Sequence, residues 1–194
     1  MQKLRVGIIL GGMSSEREVS LNSGRNVYDN LDPEFFQGVP LFMDGGGALW
    51  EIPWQLVSQN TTVDIGERLA SEARRLPYEE LKERIDFAFI SLHGKYGDDG
   101  CIQGLLELLG IPYTGPGVLA SALGMDKHIQ QKVLAAAGIA VPKSIAVREE
   151  EWRQAPEQVV EKLLGSFGLP FFIKLAREGS SVGVGKITEA AAIA

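Results

Sequence analysis

The chain has 194 residues, of which 45% are hydrophobic and 23% charged, a composition typical of a globular protein with one large domain or two small ones. Its net charge of −6 argues against a general nucleic-acid-binding or anionic-membrane-binding surface, and no segment approaches the about 18 apolar residues of a membrane span. The single cysteine, Cys101, excludes an internal disulfide and a cysteine-based structural zinc site, and we predict a cytoplasmic protein.

The first part of the chain alternates between apolar strands and helices. Strands are predicted at 4–10, 39–43, 85–92 and 111–114, and helices at 16–31, 79–84 and 102–109. The first helix has an apolar stripe through Val19, Val27 and Leu31, whereas residues 48–78 show no clear period. This alternation predicts an α/β fold with an open parallel sheet and flanking helices.

Ligands of such sheets bind beyond the carboxyl ends of the strands. Three glycine-rich segments follow predicted strands, at 11–16, 93–100 and 115–117. All three therefore fall on one edge of the predicted sheet, which indicates a binding site there.

From residue 118 the pattern changes. Helices are predicted at 118–124 and 127–137 and from residue 156, and strands at 144–147, 171–175 and 182–187. These elements predict a separate α+β unit, with a domain boundary near residue 120. Thr188 would cap a final helix of only six residues, too short to be stable alone, so we expect the chain to be the amino-terminal part of a longer fold.

Two lysines suggest phosphate binding in this second unit. Lys174 is predicted on a buried strand, before a glycine-rich loop in which Ser180 and Ser181 can contact phosphate oxygens together with backbone N–H groups. The alternative is a hairpin turn beside a solvated lysine. Lys127 lies in the first turn of a helix, against the helix dipole, which is reasonable if a phosphate neutralises it; the alternative is a surface charge.

Two side chains of the first unit suggest substrate binding. His93 follows a predicted strand and can donate a hydrogen bond to a carboxylate or a developing oxyanion, unless local backbone groups satisfy it. Glu16 begins a helix, where it is favoured by the dipole or aimed at a substrate ammonium group. The GxGxxG fingerprint is absent, so nicotinamide binding is poorly supported, and the loop after Lys174 is not a P-loop.

Three segments together resemble the D-alanine–D-alanine ligases of the ATP-grasp superfamily. They are GGMSSEREVSLNSG (11–24), HGKYGDDGCIQGLLELLGIPYTGPGVLASALGMDK (93–127) and REGSSVGVGKI (177–187). The resemblance implies a Rossmann-like substrate-binding domain at 1–120, followed at 121–194 by the first part of an ATP-grasp domain. It also implies an ATP- and Mg²⁺-dependent enzyme that makes D-alanyl-D-alanine through an acylphosphate, for peptidoglycan synthesis, and that commonly forms homodimers.

The resemblance also assigns roles to residues. Glu16 would hold the ammonium group of the first D-alanine, Val19 would line that pocket, and His93 would lie by the substrate carboxylates. Lys127 and Lys174 would bind ATP phosphates. The loop that closes on those phosphates would comprise Gly179, Ser180, Ser181 and Val182, with Ser180 also orienting Glu16; the catalytic set would be Glu16, His93 and Ser180.

The sequence departs from the family pattern at three positions. Asp98 stands where glutamate is usual, Pro116 where serine is usual, and Leu175 where proline is usual. The magnesium ligands are expected beyond residue 194. An isolated chain of this length is therefore expected to lack turnover, and the alternative function is a catalytically inactive nucleotide- or amino-acid-binding remnant.

Overall fold

The amino-terminal unit is built around its first strand, which is buried on both faces. In the computed structural model, which describes residues 2–179 and 182–193, the chain divides into two compact units between Ala122 and Leu123. The elements of the first unit are β1 (Leu4–Gly11), α1 (Arg17–Asn30), β2 (Phe36–Met43), β3 (Leu49–Glu51), α2 (Trp54–Gln59), α3 (Thr62–Glu72), β4 (Arg74–Arg75), a 3₁₀ helix (Tyr78–Glu80), α4 (Leu81–Arg84), β5 (Phe87–Ile90) and α5 (Cys101–Leu109), while α6 (Val118–Met125) spans the division.

The strands form one mixed sheet in the order β4-β3-β2-β1-β5. Strand β1 is parallel to β2 and to β5, which confirms the predicted α/β class, and β3 and β4 extend the sheet with antiparallel pairing. Ile8 and Ile9 are fully buried on opposite faces. Helices α1–α3 cover the Ile8 face and α4–α5 cover the Ile9 face, and this explains why β1 is apolar from Val6 onwards.

Helix α1 packs unusually close to β1. A Cβ built at Gly24 would stand 2.6 Å from Leu10 Cδ2, so only glycine permits this approach. The contact fixes α1 over the carboxyl end of β1, where the first glycine-rich segment lies. The predicted apolar stripe is correct only in part, because Val19 is 53% exposed, whereas Val27 and Leu31 pack against the core.

The outer edge of β5 is covered by the segment that follows α5. Ala88 N–H donates to Pro112 O at 2.8 Å, and Thr114 N–H donates to Ala88 O at 3.0 Å. Ile90 N–H donates to the Thr114 hydroxyl at 3.0 Å. The strand predicted at 111–114 is therefore wrong as a regular strand: a single bridge at Tyr113 and one side chain complete the edge.

The carboxy-terminal unit contains helices packed on a two-stranded antiparallel sheet. Its elements are α7 (Lys127–Ala136), α8 (Glu149–Gln154), α9 (Pro156–Phe167), β6 (Phe171–Ile173), β7 (Gly185–Ile187) and a 3₁₀ helix (Ala190–Ile193). Val159 and Leu163 of α9 pack with Ile187 and Ile193 in its small core. In the described part of the chain, no helix has the length and apolar character needed to cross a membrane.

Three predictions for this unit are wrong. Residues 144–147 form no strand, because the segment pairs with no other strand among the described residues. The last segment is a 3₁₀ helix and not an α-helix. Lys174 does not lie on a buried strand: β6 ends at Ile173, Phe172 is 62% exposed, and Lys174 itself is exposed.

Candidate functional site

One serine joins the start of α1 to the loop that follows β5. The Ser14 hydroxyl donates to His93 O at 2.7 Å and accepts from Glu16 N–H at 3.1 Å. The backbones of Glu16 and His93 are therefore held through one side chain at the carboxyl edge of the sheet. The structure thus brings together the two residues of this unit for which the sequence suggested substrate binding.

The side chains of the two residues face this junction differently. The Glu16 carboxylate packs against Gly94, the residue after His93. The His93 ring is half-buried, and its Nε2 lies 2.9 Å from the Ser23 hydroxyl. A carboxylate and an imidazole on neighbouring segments are suited to a zwitterion, since one can bind an ammonium group and the other a carboxylate.

Sequence analysis overlooked Ser14 and Ser23 as contributors to this junction. A signal was available for Ser23, because Glu16, Ser20 and Ser23 are spaced i, i+4 and i+7 and therefore share one face of α1. Polar residues on the buried side of a helix require partners. Ser23 meets this requirement through His93, whereas Ser20 is an exception: it is fully buried and its hydroxyl has no hydrogen bond within the described residues.

Two aspartates close the loop 93–100 upon itself. Asp98 Oδ2 accepts from Gly94 N–H at 2.6 Å, and Asp99 accepts from Tyr96 N–H at 2.9 Å and from Cys101 N–H at 3.1 Å. Tyr96 has a φ of +67°, which is uncommon for a residue with a side chain. The carboxylates thus stabilise a tight loop conformation that holds His93 and Gly94 at the strand end.

In the carboxy-terminal unit, the start of α7 holds the beginning of the predicted phosphate loop. Lys127 N–H donates to Ala176 O at 2.9 Å, and Lys127 Nζ donates to Glu178 O. Arg177 Nε donates to the Asp126 carboxylate at 2.9 Å. Three contacts from two adjacent residues therefore fix residues 176–178.

Asp126 has a second role as the amino-terminal cap of α7. Its carboxylate accepts from the N–H groups of His128 and Ile129, both at 3.1 Å. The pKa of Asp126 is lowered, chiefly by the hydrogen bond from Arg177 and then by that from Ile129. Because Arg177 pairs with Asp126, the charge of Lys127 has no ion-pair partner among the residues that the structure describes.

The remaining residues predicted to bind phosphate have fewer contacts in the structure than residues 176–178. Val182 N–H donates to Gly179 O at 3.0 Å. Leu175 packs against Gly183, where a Cβ would stand 2.7 Å from Leu175 Cδ1. Lys174 makes no hydrogen bond or ion pair within residues 2–179 and 182–193, and the predicted residues Ser180 and Ser181 lie outside the described residues.

Comparison with known proteins gives matches over both units. A family model described as "D-ala D-ala ligase N-terminus" matches residues 5–116, and one described as "D-ala D-ala ligase C-terminus" matches residues 133–194. The chain belongs to the D-alanine–D-alanine ligase family. The resemblance carried by the three sequence segments is therefore confirmed.

Individual members of the D-alanine–D-alanine ligase family support this assignment. The D-alanine–D-alanine ligase of Natranaerobius thermophilus is 37% identical over 200 aligned positions, which cover 96% of this chain and 54% of the relative. The solved structure of the Coxiella burnetii ligase has a TM-score of 0.83 at 30% identity, covering 97% of this chain and 58% of that one. The Bacillus anthracis ligase complexed with ATP has a TM-score of 0.69 at 32% identity, with coverages of 97% and 50%.

The chain spans about half the length of the curated relatives it matches. The described residues fit unequally the two cofactors, ATP and Mg²⁺, that the sequence resemblance implies. Lys127, with a charge that no described acid neutralises, suits a phosphate. In contrast, residues 2–179 and 182–193 contain no cluster of three or more histidine, cysteine or carboxylate side chains that would suit Mg²⁺.

Proposed function

We propose that this chain contributes D-alanine-binding and nucleotide-binding residues to the ATP-dependent synthesis of D-alanyl-D-alanine for peptidoglycan. Residues 1–120 would form the substrate-binding domain, and 121–194 the first part of an ATP-grasp domain. Membership of the ligase family supports the reaction class. The observation that carries the proposal is the pairing of Glu16 and His93 through Ser14.

In the proposed site, charge complementarity orients the first D-alanine. The Glu16 carboxylate pairs with its ammonium group, and the His93 ring donates a hydrogen bond to its carboxylate. Val19, which is 53% exposed on α1, lines the methyl pocket. Two opposite charges on one small substrate thus meet two complementary groups on neighbouring segments.

The carboxy-terminal unit would contact the nucleotide. When bound, ATP supplies the phosphoryl group that converts the D-alanine carboxylate to an acylphosphate. Lys127 and Lys174 provide positive charge for its phosphates, and Gly179 provides a backbone N–H group without a side chain that would obstruct the nucleotide. Val182 is proposed to belong to the same loop, where its own N–H bonds to Gly179 O. Ser180 and Ser181 are proposed to add hydroxyl groups to the same loop.

Two measurements on the chain test this function. Calorimetric titration with D-alanine should show binding that L-alanine does not match, and titration with ATP should show nucleotide binding. Phosphate release with D-alanine, ATP and Mg²⁺ then reports turnover. Absence of binding to both D-alanine and ATP would refute the proposal for this chain.

A second candidate is a binding module without catalysis. Two departures from the family pattern favour it: the shortened carboxylate of Asp98 is held by Gly94 N–H, and Leu175, where proline is usual, packs against Gly183. Phosphate release separates the two functions in one direction. D-alanine-dependent phosphate release would exclude the binding module, whereas binding of D-alanine or ATP without release is expected of both functions, because the isolated chain is expected to lack turnover.

A further inference from the structure

We propose that Ser23 is a positioning residue for His93: its hydroxyl donates a hydrogen bond to Nε2 and thereby keeps the ring proton on Nδ1. This inference rests on the proposed function, in which His93 donates a hydrogen bond to the substrate carboxylate. According to this inference, Ser23 on α1 determines which nitrogen of the His93 ring donates a hydrogen bond to the substrate.

The geometry leaves Ser23 as the partner of the ring. Ser23 Oγ lies 2.9 Å from His93 Nε2, a normal hydrogen-bond distance between two half-buried groups. Within the described ranges, neither Nδ1 of the ring nor the Ser23 hydroxyl has another hydrogen bond. One ring nitrogen is therefore occupied and the other is available to a ligand.

The backbone of His93 is held by different groups. Ser14 donates to His93 O at 2.7 Å, and β5, which precedes the loop, is paired with β1 on one side and bonded to Thr114 on the other. With the backbone fixed, the remaining freedom of the residue is rotation of the ring about its side-chain bonds. Ser23 restricts that rotation.

The direction of the Ser23 hydrogen bond determines what His93 can bind. A neutral imidazole has one N–H, and its position is set by the hydrogen bond that the other nitrogen makes. A carboxylate only accepts hydrogen bonds, so Nδ1 must carry the proton to bind it. Nε2 must then accept, and Ser23 must donate. In the opposite arrangement, Nδ1 would present a lone pair to the carboxylate and repel it.

Nuclear magnetic resonance of the ring nitrogens tests this directly. The chain has two histidines, so His128→Gln leaves His93 as the single imidazole. In alkaline buffer, where an imidazole is neutral, long-range ¹H–¹⁵N correlation should show the proton on Nδ1. In Ser23→Ala the proton should shift substantially to Nε2, whereas Ser23→Thr, which keeps a hydroxyl, should restore the parent pattern.

Ser58→Ala is the matched control, because within the described residues the Ser58 hydroxyl hydrogen-bonds to the carbonyl of Gln55 in its own helix and to no other group. It should leave the His93 pattern unchanged. A proton found mainly on Nε2 in the His128→Gln parent would overturn the proposal without any variant at Ser23. An unchanged pattern in Ser23→Ala would overturn it as well.

D-Alanine titration separates failure of this inference from failure of the proposed function. Ser23→Ala should weaken D-alanine binding about three- to tenfold, the usual effect of losing one oriented hydrogen bond, and Ser23→Thr should recover it. If the parent chain binds no D-alanine, the substrate role of His93 fails. The ring measurement, made without ligand, still decides whether Ser23 sets the tautomer.

Discussion

The Glu16 carboxylate lies against Gly94 so closely that a Cβ built at position 94 would stand 2.5 Å from Glu16 Oε2. Gly94 also has a φ of +69°, in the left-handed region that favours glycine. A side chain at position 94 would therefore displace the Glu16 carboxylate, and it would also be strained at this φ. The position of this proposed substrate-binding carboxylate depends on glycine at position 94.

Gly94→Ala should accordingly impair both folding and binding. We expect a loss of about 1 kcal/mol or more in the free energy of unfolding, because alanine is strained at this φ, and weaker D-alanine binding, because Glu16 is displaced. Urea unfolding and calorimetry measure the two effects. The control is Gly66→Ala in α3, where a Cβ meets nothing within 4 Å and should be neutral or stabilising. Equal behaviour of the two variants would contradict this explanation.

Two nearby glutamates should differ in their effects. Glu18 accepts from Thr62 N–H at 2.8 Å and so caps the start of α3, whereas Glu16 is proposed to bind the D-alanine ammonium group. Glu16→Gln should reduce D-alanine affinity about tenfold or more, since an ion pair is lost. Glu18→Ala should lower stability by about 1 kcal/mol and leave affinity unchanged. The assignment fails if Glu18→Ala impairs D-alanine binding as much as Glu16→Gln does.

A feature of the fold could be predicted from the sequence when it depends on residues close together in the chain, and not when it depends on distant ones. Within the predicted strand 4–10, the continuous apolar run 6–10 indicates β1, because such a run is typical of a strand buried on both faces. Within the segment 48–78, β3 and β4 were not predicted because they have three and two residues, too few to show a period. These two strands form because they pair with β2 and with each other, and the local sequence pattern does not indicate such pairing.

The same distinction applies to the site. Glu16 and His93 were found because each follows a strand at the edge where ligands bind. Ser14 contributes through its hydrogen bond to His93 O, 79 positions further along the chain, and such a distant partner leaves no local signal. The burial of Lys174 was mispredicted because β6 is a short strand whose apolar residues remain largely exposed.

Lys127 should be the more important of two lysines on α7. Lys127→Met removes the proposed phosphate contact and the hydrogen bond to Glu178 O, and we expect ATP affinity to fall about tenfold or more. Lys132→Met is the control, because Lys132 is exposed and has no hydrogen bond or ion pair in the described part of the chain. Titration with ATP measures both. An equal, small loss in the two variants would indicate a general charge effect instead of a specific contact.

Acid should remove the contribution of one ion pair to stability. The pKa of Asp86 is lowered from 3.8 to about 2, chiefly by the hydrogen bond from the Arg5 side chain and then by that from Arg5 N–H. Because the folded pKa lies below the unfolded one, the stabilisation is complete above pH 3.8 and is lost as the pH falls through about 2.

Asp86→Asn should therefore melt at a lower temperature than the parent at neutral pH, and the difference should shrink as the pH falls from 3.8 towards 2. Thermal unfolding over this pH range measures the effect. Asp29→Asn, at an exposed position without a hydrogen bond or ion pair to any described residue, should show no such convergence. A pH-independent difference for Asp86→Asn would rule out the ion pair as its cause.

Strand β6 exposes apolar surface that should promote self-association. Phe172 is 62% exposed, whereas Phe171 packs near Phe167 with ring centroids 5.8 Å apart. Phe172→Thr should reduce concentration-dependent association in sedimentation experiments without loss of stability. Phe171→Thr should instead lower the free energy of unfolding by about 2 kcal/mol. Unchanged association in Phe172→Thr would show that this apolar surface does not mediate self-association.

The two borders of the five-stranded sheet are closed in different ways. At β5, the outward N–H groups of Ala88 and Ile90 are already bonded to Pro112 and Thr114. At the other border, β4 is only two residues long and both are arginines. At neither edge can a strand from another molecule readily extend the sheet through main-chain hydrogen bonds. The sheet that precedes the His93 loop is consequently protected from the edge-to-edge strand pairing that leads to fibrils. The hydroxyl group of Thr114 contributes to that protection.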